Sequence, residues 1–554
     1  MSERRPRDHQ RFAHARRASR IAPIVLAVPL LLLAACNHGC GSSGPRPSAQ
    51  VVAPRASAAP AETAPPVETA FVPTQTSGEC APGRGKDYPV GPGQKYEKIG
   101  DVPWERLAAG DTVRIHHRPE PYKEKFMVGS VGRKDAPIRV CGVRGPNGEL
   151  PVIDGDGATT RRTLEFPYDG HQPRGLVFIG HRRSSPWLEQ PSYITIEGLE
   201  IRNADPTRSF FDKDNRQTPW PEVAAGIFVQ RGSHIVIRGC HVHSNGNGLF
   251  VGSAGGEELT RDVLIEGNYV HDNASPKNWY EHNVYNEASG VVYQFNRFGP
   301  PRRGAEGFLG GNIKERSAGV VIRYNWIEDG AHLIDLVDSQ EARDPNLADP
   351  AFRESWVYGN ILVRGGSASG SMVHYGGDSG MLETYRKGTL HFFNNTVVVL
   401  NASHKDWQST AVFELSTNDE KLEMRNNVVA TQVPSLPKRP TVLLGGRDEV
   451  VAGIADLSGN WISGSVQPFE GFPGRALKRA AELRGLDTSL RGADPMFVDL
   501  ASLALQPSAS APFKGKGVPL PPGPHEVTMQ YVKHARGEPR PKEDPPTPGA
   551  LAPR

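Results

Sequence analysis

Val263-Leu264-Ile265-Glu266-Gly267-Asn268-Tyr269-Val270 reads as a short β-branched run, a tight polar turn and a second apolar run. The pattern recurs at Ile194-Thr195-Ile196-Glu197-Gly198-Leu199-Glu200-Ile201 and at Ile235-Val236-Ile237-Arg238-Gly239-Cys240-His241-Val242. It returns at Val320-Val321-Ile322-Arg323-Tyr324-Asn325-Trp326-Ile327. Alignment puts Leu199, Cys240, Asn268, Asn296, Asn325, Asn360, Asn395, Asn427 and Asn460 at one turn position, in steps of 41, 28, 28, 29, 35, 35, 32 and 33 residues. In a stack of parallel coils about 4.8 Å apart, each asparagine amide reaches the next one, which satisfies buried polar groups and fixes the turn. Period-2 alternation alone would also suit a β-sandwich, but a sandwich has no need of asparagine at one turn position in every repeat. The expected class is therefore all-β, a right-handed parallel β-helix. Its cap lies near 80–157, its ladder coils run from about 194 to 460, and it closes near 494–517.

Outside this body the composition changes. The chain has 554 residues, 60 glycines, 49 prolines, 37% hydrophobic residues and a net charge of +3. That balance suits many turns and short strands, and it argues against nucleic acid as a partner. Residues 1–20 are rich in arginine, and an apolar run follows from Ile21 to Leu33, too short to span a membrane. It ends Leu33-Ala34-Ala35-Cys36, which resembles the bacterial lipobox. On that reading residues 1–36 are a lipoprotein signal, and the exported chain is anchored through Cys36 in the cell envelope, at the outer membrane or cell surface. Residues 37–79 read as an Ala/Pro/Ser-rich linker, 80–517 as the β-helix and 518–554 as a disordered Pro-rich tail. Cys80 is placed to pair with Cys141 across the cap, although spacing alone leaves the connectivity open. A monomer is expected.

The entry segment, with Leu107-Ala108-Ala109-Gly110-Asp111-Thr112-Val113 and Val152-Ile153-Asp154-Gly155, resembles the pectin-lyase-like β-helix superfamily. It is similar to the chondroitinase B and alginate lyase group within it. The end, Asp494-Pro495-Met496-Phe497-Val498-Asp499, resembles the closing coil of the same superfamily. The resemblance implies the fold and leaves the reaction open, because lyases, hydrolases, epimerases and adhesins share it.

Counting back eleven residues from ladder positions gives a second column: Val229, Tyr285 and Lys314. Phe228, Val284 and Ile313 are then expected to point inward. Continued through Asp335, His374 and Glu414, the outward column turns ionisable from Tyr285 onward, after Val229 and Val251 upstream. His282, Asn283 and Asn312 lie just before it, and Glu287 and Arg316 just after. Titratable groups one strand spacing apart are strongly coupled, a common property of active sites. Lys314 is also similar to the lysine of the chondroitinase B and alginate lyase group, which implies Lys314 as base and Arg316 or Arg323 as helper. That group has acidic calcium ligands shortly before its lysine. Phe308, Leu309, Gly310 and Gly311 stand there instead, so calcium is left without its usual ligands and no other cofactor is implied.

Uronate β-elimination needs a carboxylate neutraliser, a base for the C5 proton and an acid for the leaving oxygen. The expected roles are Lys314 or His282 as base, Tyr285 as acid, and Arg316 with Asn312 as neutralisers. Asp335 completes the catalytic set, while Asn283, Arg323, Asp338, His374 and Glu414 are expected to contact a polysaccharide. Hydrolysis, which needs paired carboxylates, and epimerisation are the rival reactions. A non-catalytic polysaccharide-binding or adhesin protein is the rival of another kind. His241 and His243 alternate on one strand, where surface positions are expected in preference to metal ligands.

Overall fold

The computed structural model describes residues 80–553, apart from 254, 305–306, 366–369, 401–409, 433–439, 447–449, 470–476 and 522. The expected leader, Cys36 and the linker lie outside the described residues. The body winds through three long sheets of parallel strands. One has thirteen strands, from Asp87–Val90 to Glu482–Arg484. The second has eleven, from Phe126–Val128 to Gln467–Phe469, and the third eleven, from Val152–Asp154 to Leu490–Gly492. Each full coil contributes one strand to each sheet, and inward residues such as Val263, Ile265, Val270 and Val284 form one continuous core.

The asparagine column is a hydrogen-bonded ladder. The Asn296 backbone N–H and Nδ2 both donate to Asn325 Oδ1, at 3.0 and 2.9 Å. Asn325 does the same to Asn360 at 2.9 and 3.0 Å, and the series continues to Asn460, with every member fully buried. The residue before each ladder position has positive φ, including Gly267 at 62° and the non-glycines Phe295 and Tyr324 at 56° and 55°. A left-handed residue turns the chain between two sheets, and the asparagine behind it ties that turn to the next coil.

Two expectations are corrected. The segment 518–554 is not disordered where described, for it covers the outside of the third sheet. Period-2 alternation leaves an outward row of Trp326, Ile361, Thr396, Val428 and Trp461 on that sheet, and an apolar row of this size has to be covered. Tyr531, Ala550 and Leu551 of the tail pack onto it beside Phe513 of the closing segment, and the Ala550 N–H donates to Thr396 Oγ1 at 2.9 Å. The second correction concerns register. Phe228, not Val229, lies in the outward column, because three residues separate its strand from the next (Val229 to Ser233) where the Tyr285 coil has two (Asn286 to Ser289). The column upstream of Tyr285 is therefore Met127, Phe178, Phe228 and Phe250, not valines. Cys80 and Cys141 form the disulfide at the cap.

Candidate functional site

From Tyr285 the register runs as alternation requires: Tyr285 beside Lys314, Lys314 beside Asp335, Asp335 beside His374, His374 beside Glu414. On one side it continues an aromatic stack in which Phe228, Phe250 and Tyr285 follow at centroid separations of 5.1 and 4.6 Å. On the other side a cavity of about 220 Å³ opens, lined by His374, Glu414, Ser416, Leu382 and Tyr385 among others.

Two loops leave the second sheet and fold over this face. The first, after Ile334–Leu336, brings Asp338 and Glu341; the second, after Val373–Tyr375, brings Asp378. They are pinned from below. Glu287 Oε1 accepts from Ser339 Oγ at 2.6 Å and from the Ala342 N–H at 2.8 Å. Asp338 Oδ1 accepts from the Asp378 N–H at 2.7 Å. Fully buried Arg386 donates to the carbonyls of Val337 and Ser317 at 3.0 Å each and of Glu315 at 3.1 Å. Glu341 and Asp378 were missed in the sequence because loop residues carry no strand period. The one local signal is Gly376-Gly377 before Asp378, where Gly376 has φ of 136°.

Lys314 Nζ donates to Asp335 Oδ2 at 2.6 Å and to Asp378 Oδ2. Arg316 Nη2 donates to Asp378 Oδ1 at 3.3 Å and Nη1 to the Asp338 carbonyl. One carboxylate, Asp378, thus bridges an ammonium and a guanidinium. Burial would raise the Asp378 carboxyl, and Lys314 and Arg316 outweigh it, holding it below the usual range. Burial likewise opposes ionisation of Asp335, but Lys314, His332 and His374 hold it well below the carboxylate range. His374 Nδ1 lies 2.8 Å from Asp335 Oδ1 and Nε2 lies 2.9 Å from Ser416 Oγ. Burial would lower this imidazole, and Asp335 and Glu414 raise it instead. The Tyr285 hydroxyl donates to both Glu341 oxygens, at 3.1 and 3.0 Å. Burial pushes this phenol up despite Arg316, whose guanidinium sits 5.7 Å from the ring centroid.

Several expected roles change. Lys314 as base is not favoured, since its ammonium is committed to two carboxylates. Asn283 and Asn312 do not face substrate. They belong to a second, unforeseen ladder in which Asn245 donates to Asn273, Asn273 to Asn283 and Asn283 to Asn312, at 3.0, 3.0 and 2.6 Å. The Asn312 amide ends it on the carbonyls of Glu328 and Asp329 at 2.6 and 2.8 Å, which leaves Asn312 no donor for a carboxylate. Arg323 lies in the thirteen-stranded sheet, donating to Gln294 Oε1 at 2.9 Å and to the Tyr358 hydroxyl at 3.2 Å, outside the cluster. Asp338 is fully buried and holds the Asp378 loop. Glu414 faces the cavity, as a contact residue would.

His282 is in place beside the column, but its Nδ1 accepts the Gly311 N–H at 3.0 Å, so Nε2 carries the proton. Burial and then Lys314 push it down to about 3, from an ordinary 6.5. Between these values the unfolded chain binds the proton and the folded protein does not. Stability therefore falls as pH falls through this window, by about 1.4 kcal/mol per pH unit from this group. His282→Gln keeps an acceptor for Gly311 and cannot titrate. Urea unfolding of both proteins from pH 4 to 7 is expected to show the variant losing less stability on acidification; identical slopes would refute the assignment.

Ligand atoms of His332, Asp335 and His374 lie within 4.8 Å of one another. Two imidazoles and one carboxylate suit a transition metal better than calcium, which prefers an all-oxygen shell. Lys314 competes for Asp335 there, which weakens the case for an ion.

No curated protein sequence matches the chain. Among solved structures, an alginate lyase from Paenibacillus sp. str. FPU-7 is 12% identical, with a TM-score of 0.36 over 66% of this chain and 94% of its own. Pectate lyase Pel9A is 14% identical, with a TM-score of 0.40 over 84% and 96%. A lacto-N-biosidase from Eubacterium ramulus is 11% identical, with a TM-score of 0.38 over 74% and 68%. Residues 187–430 match the family described as the right-handed beta helix region. Given three stacked parallel sheets and this match over the central coils, the chain folds as a right-handed parallel β-helix.

Proposed function

We propose that the protein is an enzyme acting on an acidic polysaccharide, and that it cleaves a uronate-containing chain by β-elimination. The observation that carries this reading is the Asp378 carboxylate bridging Lys314 and Arg316. Asp378 is the more exposed partner, with 30% of its side chain accessible against 9% for Lys314 and 5% for Arg316. A loop carboxylate of this kind marks where a substrate carboxylate would sit, with two cations to stabilise the enolate formed when C5 loses its proton. Tyr285 is the acid–base group in this reading. It takes the C5 proton as its own proton moves to Glu341, the C4–O bond breaks as C4=C5 forms, and Tyr285 then gives a proton to the leaving oxygen and recovers its own from Glu341. Half-buried Phe250 and the cavity beside Glu414 are the flanking surfaces for neighbouring sugars. The Arg-rich leader and Cys36 support a lipid-anchored place in the cell envelope, where such polymers are met.

Tyr285→Phe keeps the ring stack and removes only the hydroxyl. It is expected to lower kcat on a polyuronate about 10²- to 10⁴-fold with an unchanged circular dichroism spectrum. Full activity in the variant would remove Tyr285 from the mechanism. Hydrolysis is the second reading, favoured by one observation, the Glu414 carboxylate in the cavity wall. It would release reducing ends without an unsaturated product.

A further inference from the structure

A second cluster of chemistry-bearing side chains lies on a different sheet. On the outer face of the third sheet, Glu200 pairs with His241, His241 with Tyr269, and His243 with His271 on successive strands. His241 Nε2 lies 2.7 Å from His271 Nε2. His243 Nε2 lies 3.4 Å from Glu200 Oε1, and His241 Nδ1 lies 3.8 Å from Glu200 Oε2. Ligand atoms of Glu200, His241 and His243 all fall within 4.8 Å of one another. Arg202 Nη1 also donates to Glu200 Oε1, at 2.8 Å.

The tautomers are constrained by a neighbouring carboxylate. His271 Nδ1 lies 2.6 Å from Asp272 Oδ2, so its N–H points to Asp272 and Nε2 presents a lone pair. Two facing Nε2 atoms at this distance share a single proton. A carboxylate that fixes one imidazole and raises its basicity is the arrangement found behind metal-bound histidines. We propose that His241 and His271, with His243 beside them, bind a divalent transition-metal ion that takes the place of the proton between His241 and His271, while Glu200 holds the Nδ1 side of His241. Tetrahedral zinc with nitrogen ligands at about 2.0–2.1 Å needs nitrogens about 3.3 Å apart, so the two rings part by roughly half an ångström. Imidazole-rich shells select zinc, copper or nickel over magnesium and calcium.

The test is equilibrium dialysis of the full chain against Zn²⁺ in excess Mg²⁺, with the metal content measured afterwards. Wild type is expected to retain one Zn²⁺ per chain at this cluster. His241→Ala and His271→Ala are expected to lose it, and His374→Ala, which breaks the other His–Asp group, to keep it. Asp272→Asn is expected to weaken Zn²⁺ about 10- to 100-fold without abolishing it. Circular dichroism checks that each variant is folded, and Co²⁺ absorption reports nitrogen ligation independently of Zn²⁺ content. No retained Zn²⁺ in wild type, or a stoichiometry indifferent to His241 and His271, overturns the proposal.

Discussion

Lys314→Ala is expected to abolish turnover and to cost about 3–5 kcal/mol of stability, because it leaves buried Asp335, and the more exposed Asp378 beside it, without their shared cation. Lys314 is about 7% exposed and Asp335 about 5%, so water cannot replace the ammonium readily. The stability loss should grow as pH rises, since Asp335 and Asp378 are ionised in the fold and their repulsion is then uncompensated. Asp378→Asn separates catalysis from structure. If Asp378 is a counter-ion that a uronate displaces, its removal frees Lys314 and Arg316, and KM should fall with kcat largely kept. If Asp378 transfers a proton, kcat should collapse. Chemical denaturation of both variants, together with steady-state kinetics on the folded fraction, decides between them. A Lys314→Ala protein with wild-type activity would refute the assignment of the site.

Asn325→Ala is expected to destabilise the protein by several kcal/mol, more than a typical surface change by an order of magnitude. The Asn325 Oδ1 accepts from the Asn296 N–H and Nδ2, while its Nδ2 reaches the carbonyls of Tyr293 and Arg323 at 3.0 and 2.9 Å, and Asn360 Oδ1 at 3.0 Å. Alanine leaves these donors and carbonyls buried without a partner, each costing about 1–3 kcal/mol before relaxation. Asn325→Asp keeps the acceptor and loses the donors, so its cost should lie between. Because each coil rests on its neighbours, the break should also loosen amides in the coils of Asn296 and Asn360, which hydrogen exchange can read. Exchange unchanged outside residue 325 would show that the ladder adds no cooperativity.

The fold was legible because its two signals are periodic. Alternation set the faces of strands such as Val263–Glu266, and the asparagine spacing set the coil. The column from Tyr285 to Glu414 followed from the same alternation. What failed was whatever depends on the length of a turn. One extra residue before Ser233 exchanged Phe228 and Val229 between faces. A second asparagine ladder went unseen because Asn283 and Asn312 lie at a loop of variable length, where no constant step marks a repeat. Glu341 and Asp378 arrive from loops that only tertiary contacts, chiefly those of Glu287, Asp338 and Arg386, hold over the sheet. The tail was misread for a related reason. Its proline content says nothing about the apolar row of Trp326, Ile361, Val428 and Trp461 that it covers.

The most direct test of the central claim is to incubate the full-length protein with a panel of polyuronates and follow the ultraviolet absorbance of the C4=C5 double bond. The expected result is a rise in absorbance with wild type on at least one polymer and none with Tyr285→Phe. Release of reducing ends without that absorbance, or a Tyr285→Phe protein as active as wild type, would contradict β-elimination at this site.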